Sequence, residues 1–183
     1  MRDVFMIAAC RSPVASRNGE FKALALHELA APVVKACLDR AGRGVGDVDE
    51  VIISNALGAG GNPARVIALA AGLPESVAGL TIDRQCCGGL DAIVLATAMI
   101  RAGQADLIVA GGVESYSQRP YRAHVLPDGT LQAYDRPAFS PWSERDPDMN
   151  IAADNLALKL GISRQAQDDW AIASHEKARS AKD

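Results

Sequence analysis

The stretch LTIDRQCCGGLDAIVLATAMIRA, Leu80 to Ala102, decides how this chain folds. Leu80 to Asp83 is a short run that predicts a strand, and the residues from about Leu90 to Ala102 predict a helix. Between them Cys86 and Cys87 stand on a tight turn, followed by Gly88 and Gly89. Leu90, Ala92, Ile93, Leu95, Ala96, Ala98, Met99 and Ile100 put apolar groups on nearly every side of the helix. That is the pattern of a helix buried at the centre of its domain. Strand, turn and helix in this order form the repeating unit of an α/β protein.

The same alternation runs outward in both directions. Val4 to Ala9 reads as a buried first strand, and Arg11 to Phe21 as a loop rich in Pro, Ser, Asn and Gly. Leu26, Leu29, Ala30, Val33, Val34, Cys37 and Leu38 keep the spacing of one helix face, so Cys37 is expected in the core and His27 just off the stripe. Glu50 to Asn55 is the next strand. A glycine-rich turn, Gly58 to Gly61, leads to Asn62 as N-cap and Pro63 as first helical residue. That turn lacks the spacings of phosphate-binding loops, which favours a structural role. Leu107 to Ala110 is the fourth strand, ending in Gly111 and Gly112. The expected architecture is α/β, a parallel or mixed sheet with helices on both faces.

After Ser117 the character changes. Residues 118 to about 147 are polar and carry Pro120, Pro127, Pro137, Pro141 and Pro147 without strong periodicity. Two helices follow, at about Asn150 to Lys159 and Arg164 to Lys182, with Ser163 as an N-cap between them. A boundary near residue 118 divides an α/β part, 1–117, from a largely helical part, 118–183.

Composition narrows the function classes. The chain has 183 residues, 49% hydrophobic and 22% charged, enough for one core and part of a second. A net charge of -3 and 4% aromatic residues provide no basic, base-stacking surface for nucleic acid. No apolar run reaches the ~18 residues that span a bilayer, and the N-terminal apolar stretch is too short for a signal peptide. A cytoplasmic protein is expected. Cys10, Cys37, Cys86 and Cys87 have neither metal-site nor disulfide-framework spacing, and His27, His124 and His175 are far apart. Free thiols and no metal are therefore expected.

The Cys86–Cys87 turn is where chemistry is expected. A helix N-terminus presents unpaired N–H groups and the positive end of the helix dipole. Both stabilise a thiolate, the nucleophilic form of cysteine, and the same N–H groups can receive an oxyanion when a thioester carbonyl is attacked. Gly88 and Gly89 would let a ligand come close to the backbone. These local arguments do not choose between the two cysteines, and leave equal room for both being small buried residues. A vicinal disulfide is strained, and a metal site made of two neighbouring cysteines has too few ligands.

TIDRQCCGGLDAI, Thr81 to Ile93, resembles the nucleophile segment of the thiolases, N-R-x-C-[small]-S-G-L. RSPVASRNGEF (Arg11 to Phe21), NPARVIALAAGLP (Asn62 to Pro74) and AGGVESYS (Ala110 to Ser117) are similar to thiolase segments in the same order. DMNIAADNLA (Asp148 to Ala157) resembles the family's MGxTAENVA helix, and SRQAQDDWAIASHEKA (Ser163 to Ala178) its SRxxQDxxAxxSHxKA segment. Aligned on Arg84 and Gly89-Leu90, the resemblance makes Cys86 the acyl-accepting nucleophile and gives Cys87 the following small-residue position. It also implies the thiolase-like layered fold, with residues after 118 forming part of a helical loop domain. Met149 would sit at the acyl-pantetheine pocket, its alternative being a core methionine at a helix start. The sequence departs from the pattern at Asp83 for Asn, Gly88 for Ser, Asn150 for Gly, and Asp148 for the His of biosynthetic acetoacetyl-CoA thiolases. These changes keep Cys86 but cast doubt on a standard acetoacetyl-CoA substrate.

What the resemblance implies is acyl transfer between acyl-CoA and CoA in fatty acid metabolism, by thiolysis or Claisen condensation of 3-oxoacyl-CoA. Coenzyme A thioesters are substrates and no cofactor is implied. The family's GHP histidine, CxGGG second cysteine and NEAF asparagine have no counterpart in this sequence, and members are about twice as long. The resemblance thus implies an N-terminal half that lacks the last strand of its own sheet. It would need a polypeptide carrying the C-terminal half, in a dimer or tetramer of complete units. A non-catalytic thiolase-like subunit or a truncated fragment is the alternative. A ketoacyl synthase, which shares the fold, fits the SHxKA segment less well.

Overall fold

A computed structural model describes residues 2–181. The chain divides between Tyr121 and Arg122 into two compact units, where the sequence put its change of character near residue 118.

The first unit contains α1 (Leu26–Ala41), β1 (Glu50–Ser54), α2 (Pro63–Ala70), β2 (Ala78–Ile82), α3 (Gly88–Arg101) and β3 (Ile108–Gly112). Its sheet is parallel in the order β2-β1-β3, with Ile52 opposite both Leu80 and Ala110. The central strand is buried from Val51 to Ser54, as expected of a strand covered on both faces. Its side chains alternate between two cores. Val51 and Ile53 pack with Ala30, Val34 and Leu38 of α1 and Ala64 and Ile67 of α2. Ile52 faces the other way, onto Ala92 and Ala96 of α3. Helices thus cover both faces of the sheet.

Local chemistry fixes the helix ends. Asn62 caps α2: its Oδ1 accepts from the Arg65 N–H at 3.2 Å, its Nδ2 donates to Gly79 O at 2.6 Å, and Pro63 occupies the first turn. α1 stops at Gly42, whose φ of 64° lets the chain leave the helix in a left-handed turn.

Three expectations are corrected. The run Val4 to Ala9 pairs with no strand among the described residues, and Phe5 and Met6 are 77% and 70% exposed. An apolar run becomes a strand only where a neighbour completes its ladder; this segment is held by side chains instead, Arg40 donating to Ala9 O at 3.0 Å and Arg2 pairing with Asp106. Cys37 is half-buried rather than in the core, because that part of α1 faces this unpaired segment. α3 is covered on its sheet face alone: Ala92 and Ala96 are buried, but Leu90 is 67% and Val94 58% exposed. An all-round apolar helix needs cover on both sides, and these residues supply it on one.

The second unit has an antiparallel hairpin of β4 (Ala123–Val125) and β5 (Leu131–Ala133), then α4 (Met149–Leu160) and α5 (Arg164–Ser180). The hairpin was not anticipated, since three-residue strands are too short for a periodic signal; its turn depends on Gly129 at φ 82° and on Asp128 accepting from Thr130. Ser163 caps α5, its Oγ accepting from the Ala166 N–H at 3.2 Å. The expected end of that helix, Lys182, lies outside the described residues. No helix among them is long and apolar enough to cross a membrane.

Candidate active site at the start of α3

The carboxyl ends of all three parallel strands converge on the turn that opens α3. Asn55 N–H donates to Ile82 O at 3.0 Å and Val113 N–H to Ser54 O at 3.1 Å, so the strands stay bonded past their ends. Beyond the carboxyl ends of such a sheet is where α/β proteins hold ligands.

β2 runs into the turn through Asp83. Its carboxylate accepts the Gln85 N–H at 2.8 Å, which helps fix Gln85 at φ 49°, in the left-handed region that side chains rarely adopt. A non-glycine residue in that conformation costs energy and marks a turn held by its surroundings. Residues Gln85–Cys87 form a single 3-10 turn, tied by Cys87 N–H to Arg84 O at 3.1 Å, and α3 follows at Gly88. Arg84 also pairs with Asp91 one turn into the helix, at 3.2 Å.

Cys86 and Cys87 are both exposed and unpaired in disulfides. No side chain caps the start of α3. The Cys86 N–H donates to no acceptor among the described residues. An exposed thiol therefore stands beside uncapped N–H groups, an arrangement suited to a nucleophile whose product is an oxyanion.

Gly88 serves packing rather than ligand approach, which corrects the sequence reading at that position. Gly88 is buried, and a Cβ added to it would overlap Ser54 Oγ and stand 2.6 Å from Ser54 Cβ. A serine at 88, the residue usual in the family pattern, would meet the same obstruction. Gly112 lies alongside at ordinary van der Waals distance, where a Cβ would stand 3.6 Å from Gly89 Cα. The absence of a side chain at Gly88 lets the start of α3 rest directly on the end of β1.

Sequence reasoning missed the groups that hold the rim. Glu114, just past β3, accepts from Asn55 Nδ2 at 2.9 Å, from the Leu57 N–H at 3.2 Å and from the Ala56 N–H. Asn55 Nδ2 also donates to Val113 O at 3.0 Å, while its buried Oδ1 meets no partner among the described residues. Glu114 lay in view within the AGGVESYS segment, but nothing in the sequence says which backbone a lone carboxylate will grip. Its carboxylate occupies N–H groups just ahead of the Gly58–Gly61 turn and opposes an anion there. That turn, with Gly58, Gly60 and Gly61 at positive φ, lines a cleft of about 270 Å³ with His27, Pro63 and Ser115, and no residue of the Cys86 turn takes part.

The other singled-out residues belong to the second unit. Met149 is the first residue of α4 in the second unit and 68% exposed, so it is not a core methionine here. His124 stacks on Tyr134 with ring centroids 4.5 Å apart, and His175 is exposed on α5. No three His, Cys, Asp or Glu side chains among the described residues are grouped as metal ligands.

Comparison with known proteins agrees with this fold. Residues 4–183 match the family described as thiolase, N-terminal domain. The Bacillus subtilis protein YhfS is 44% identical over 97% of this chain and 45% of its own length. Among solved structures, the Bacillus anthracis acetyl-CoA acetyltransferase superposes with a TM-score of 0.84 at 36% identity, covering 96% of this chain and 46% of that one. The Acat5 thiolase of Ascaris suum, solved with coenzyme A, gives 0.85 at 29% identity, over 98% and 49%. The chain spans about half the length of the relatives it matches.

Proposed function

This chain belongs to the thiolase family, and on that premise we propose that it supplies the nucleophilic half of an acyltransferase acting on coenzyme A thioesters. The observation that carries the reading is the setting of Cys86: exposed, directly after the left-handed Gln85, with its own N–H uncommitted at the start of α3.

The Cys86 thiolate attacks the 3-oxo carbonyl of a 3-oxoacyl-CoA or the thioester carbonyl of an acyl-CoA. The carbonyl π electrons move onto oxygen, and the Cys86 N–H is one donor to that oxyanion. Collapse of the tetrahedral intermediate expels the enolate of acetyl-CoA in the first case and the coenzyme A thiolate in the second, leaving the acyl group on sulfur. In thiolysis a coenzyme A thiol then takes the acyl group and its proton goes to a base. In the condensing direction the carbanion of acetyl-CoA attacks the acyl-enzyme. Met149 lies against the acyl-pantetheine arm.

The base, the second acid and the second oxyanion donor come from the other thiolase half, on a separate polypeptide or on further sequence of the same protein. The open face of α3, with Leu90 and Val94, and the exposed Phe5 and Met6 are apolar surface for that half to cover. Residues 1–117 act as the core and 118–183 as part of the loop domain. Complete units associate as cytoplasmic dimers or tetramers.

The test is direct. The chain is incubated with acetyl-CoA, alone and with a C-terminal thiolase half, and acylated residues are located by mass spectrometry. A thioester on Cys86 in the presence of the second half is expected. Acylation of Cys87 instead would overturn the assignment, and no acylation in the assembled protein would leave a non-catalytic thiolase-like subunit.

A further inference from the structure

We propose that Asp83 is the positioning residue for Cys86: its carboxylate holds Gln85 in the left-handed conformation on which the presentation of Cys86 at the start of α3 depends. This role rests on Cys86 being the nucleophile. It falls to a residue that departs from the family pattern, which has Asn at this position.

Asp83 is the first residue after β2, which ends at Ile82. Its Oδ1 accepts the Gln85 N–H at 2.8 Å, and its Oδ2 stands 3.4 Å from Gln85 Nε2, so both oxygens face donors of one residue. Gln85 has a φ of 49°; among the described residues the only other non-glycine residue at positive φ is Asn18. Asn and Asp enter this region more readily because their short side chains bond the local backbone. Gln has no such advantage, so the compensation comes from a neighbour, and Asp83 supplies it. Cys86 is next in the chain, and the peptide plane that carries its N–H is set by the Gln85 dihedrals.

Two other contacts touch the turn, and neither replaces this one. Arg84 Nε pairs with Asp91 Oδ2 at 3.2 Å, but the two side chains are 68% and 37% exposed, and surface ion pairs contribute little. The bond from the Cys87 N–H to Arg84 O, 3.1 Å, spans Gln85 and Cys86 and closes only once the chain has folded back there. The Asp83 bond is charge-assisted, the stronger kind, and acts on the residue under strain. Without it Gln85 relaxes out of the left-handed region and carries the Cys86 N–H away from the carbonyl oxygen it serves. An Asn at 83 would offer one oxygen and direct an NH₂ at the second donor. Asp83 and Gln85 are therefore a matched pair.

The experiment compares Asp83→Ala, Asp83→Asn and Asp83→Ala/Gln85→Gly with the parent. Glycine adopts positive φ at no steric cost, so the double variant needs no lock. In the assembled enzyme, Asp83→Ala should lower kcat for acetyl-CoA by about tenfold or more, with KM within about twofold, as expected of a misplaced nucleophile. Asp83→Asn should lose about two- to threefold, and the double variant should return to within about threefold of the parent. In the chain itself, amide exchange followed by NMR should quicken at Cys87 in Asp83→Ala and return to the parent rate in the double variant. Parental kcat in Asp83→Ala, or a loss that glycine at 85 does not rescue, overturns the proposal. A parent that never acylates Cys86 would sink the nucleophile reading instead. The hold on the turn is then decided by exchange alone, and an unchanged Cys87 rate in Asp83→Ala overturns it.

Discussion

The start of α3 touches Ser54 so closely that Gly88 has no room for a Cβ: one built there would overlap the Ser54 hydroxyl oxygen. The turn that presents Cys86 is thus seated on the last residue of the central strand. Gly88→Ala should lower stability by about 1–3 kcal/mol, the usual cost of overpacking. Shortening the partner should relieve it, so Ser54→Gly/Gly88→Ala should recover most of the loss in a double-mutant cycle by urea denaturation. A double variant no more stable than Gly88→Ala would mean that Ser54 is not the obstruction.

Exposure treats Cys86 and Cys87 alike, so substitution must separate them. In the assembled enzyme Cys86→Ala should reduce turnover by at least about 10³-fold, the scale on which a covalent nucleophile is missed. Cys87→Ala should keep activity within about tenfold, since a small residue suffices at the first turn of a helix. Release of free coenzyme A, followed with a thiol reagent, measures both.

Glu114 joins the end of β3 to the chain leaving β1 by accepting from Asn55, Ala56 and Leu57. Glu114→Ala should cost about 1–3 kcal/mol, because donors gathered around a carboxylate lose a charge-assisted acceptor. Glu114→Gln should fall between the two, as its amide offers one oxygen and directs an NH₂ at other donors. Denaturation gives the energies, and faster hydrogen exchange at the Leu57 amide would locate the effect.

Asp49 accepts the N–H groups of Leu107 and Asp106 at 2.9 and 2.7 Å, and these bonds, Leu107 first, hold its carboxyl below the usual range. A depressed folded pKa stabilises the protein above the unfolded value of about 3.9, and the benefit fades as pH falls through the folded value. Asp49→Ala should therefore cost about 1 kcal/mol near neutral pH, discounted for exposure. Denaturation at pH 7 and near pH 3 should show the gap between variant and parent closing in acid. A gap independent of pH would mean that the charge contributes nothing.

Much of the first unit was legible because its signals are local. Val51 to Ile53, inside the stretch Glu50 to Asn55, is a continuous apolar run, as a strand covered on both faces must be, and it became the middle of β1. Asn62 and Pro63 carry the chemistry of a helix start, and the cap formed there. The segment Val4 to Ala9 misled for the opposite reason: it has the composition of a strand, but pairing is a property of two segments. The hairpin from Ala123 to Ala133 escaped notice because its strands are three residues each.

The sequence by itself determined the alternation of strands and helices, the family to which that order of motifs belongs, and a cysteine pair at a helix start. Each follows from the character of neighbouring residues. Only the tertiary structure decided that Gly88 is glycine because of Ser54, that Glu114 holds the rim, and that α3 is covered on one face. Those are contacts between residues 34 to 59 positions apart, or the lack of them, and their energies depend on packing that no local pattern encodes.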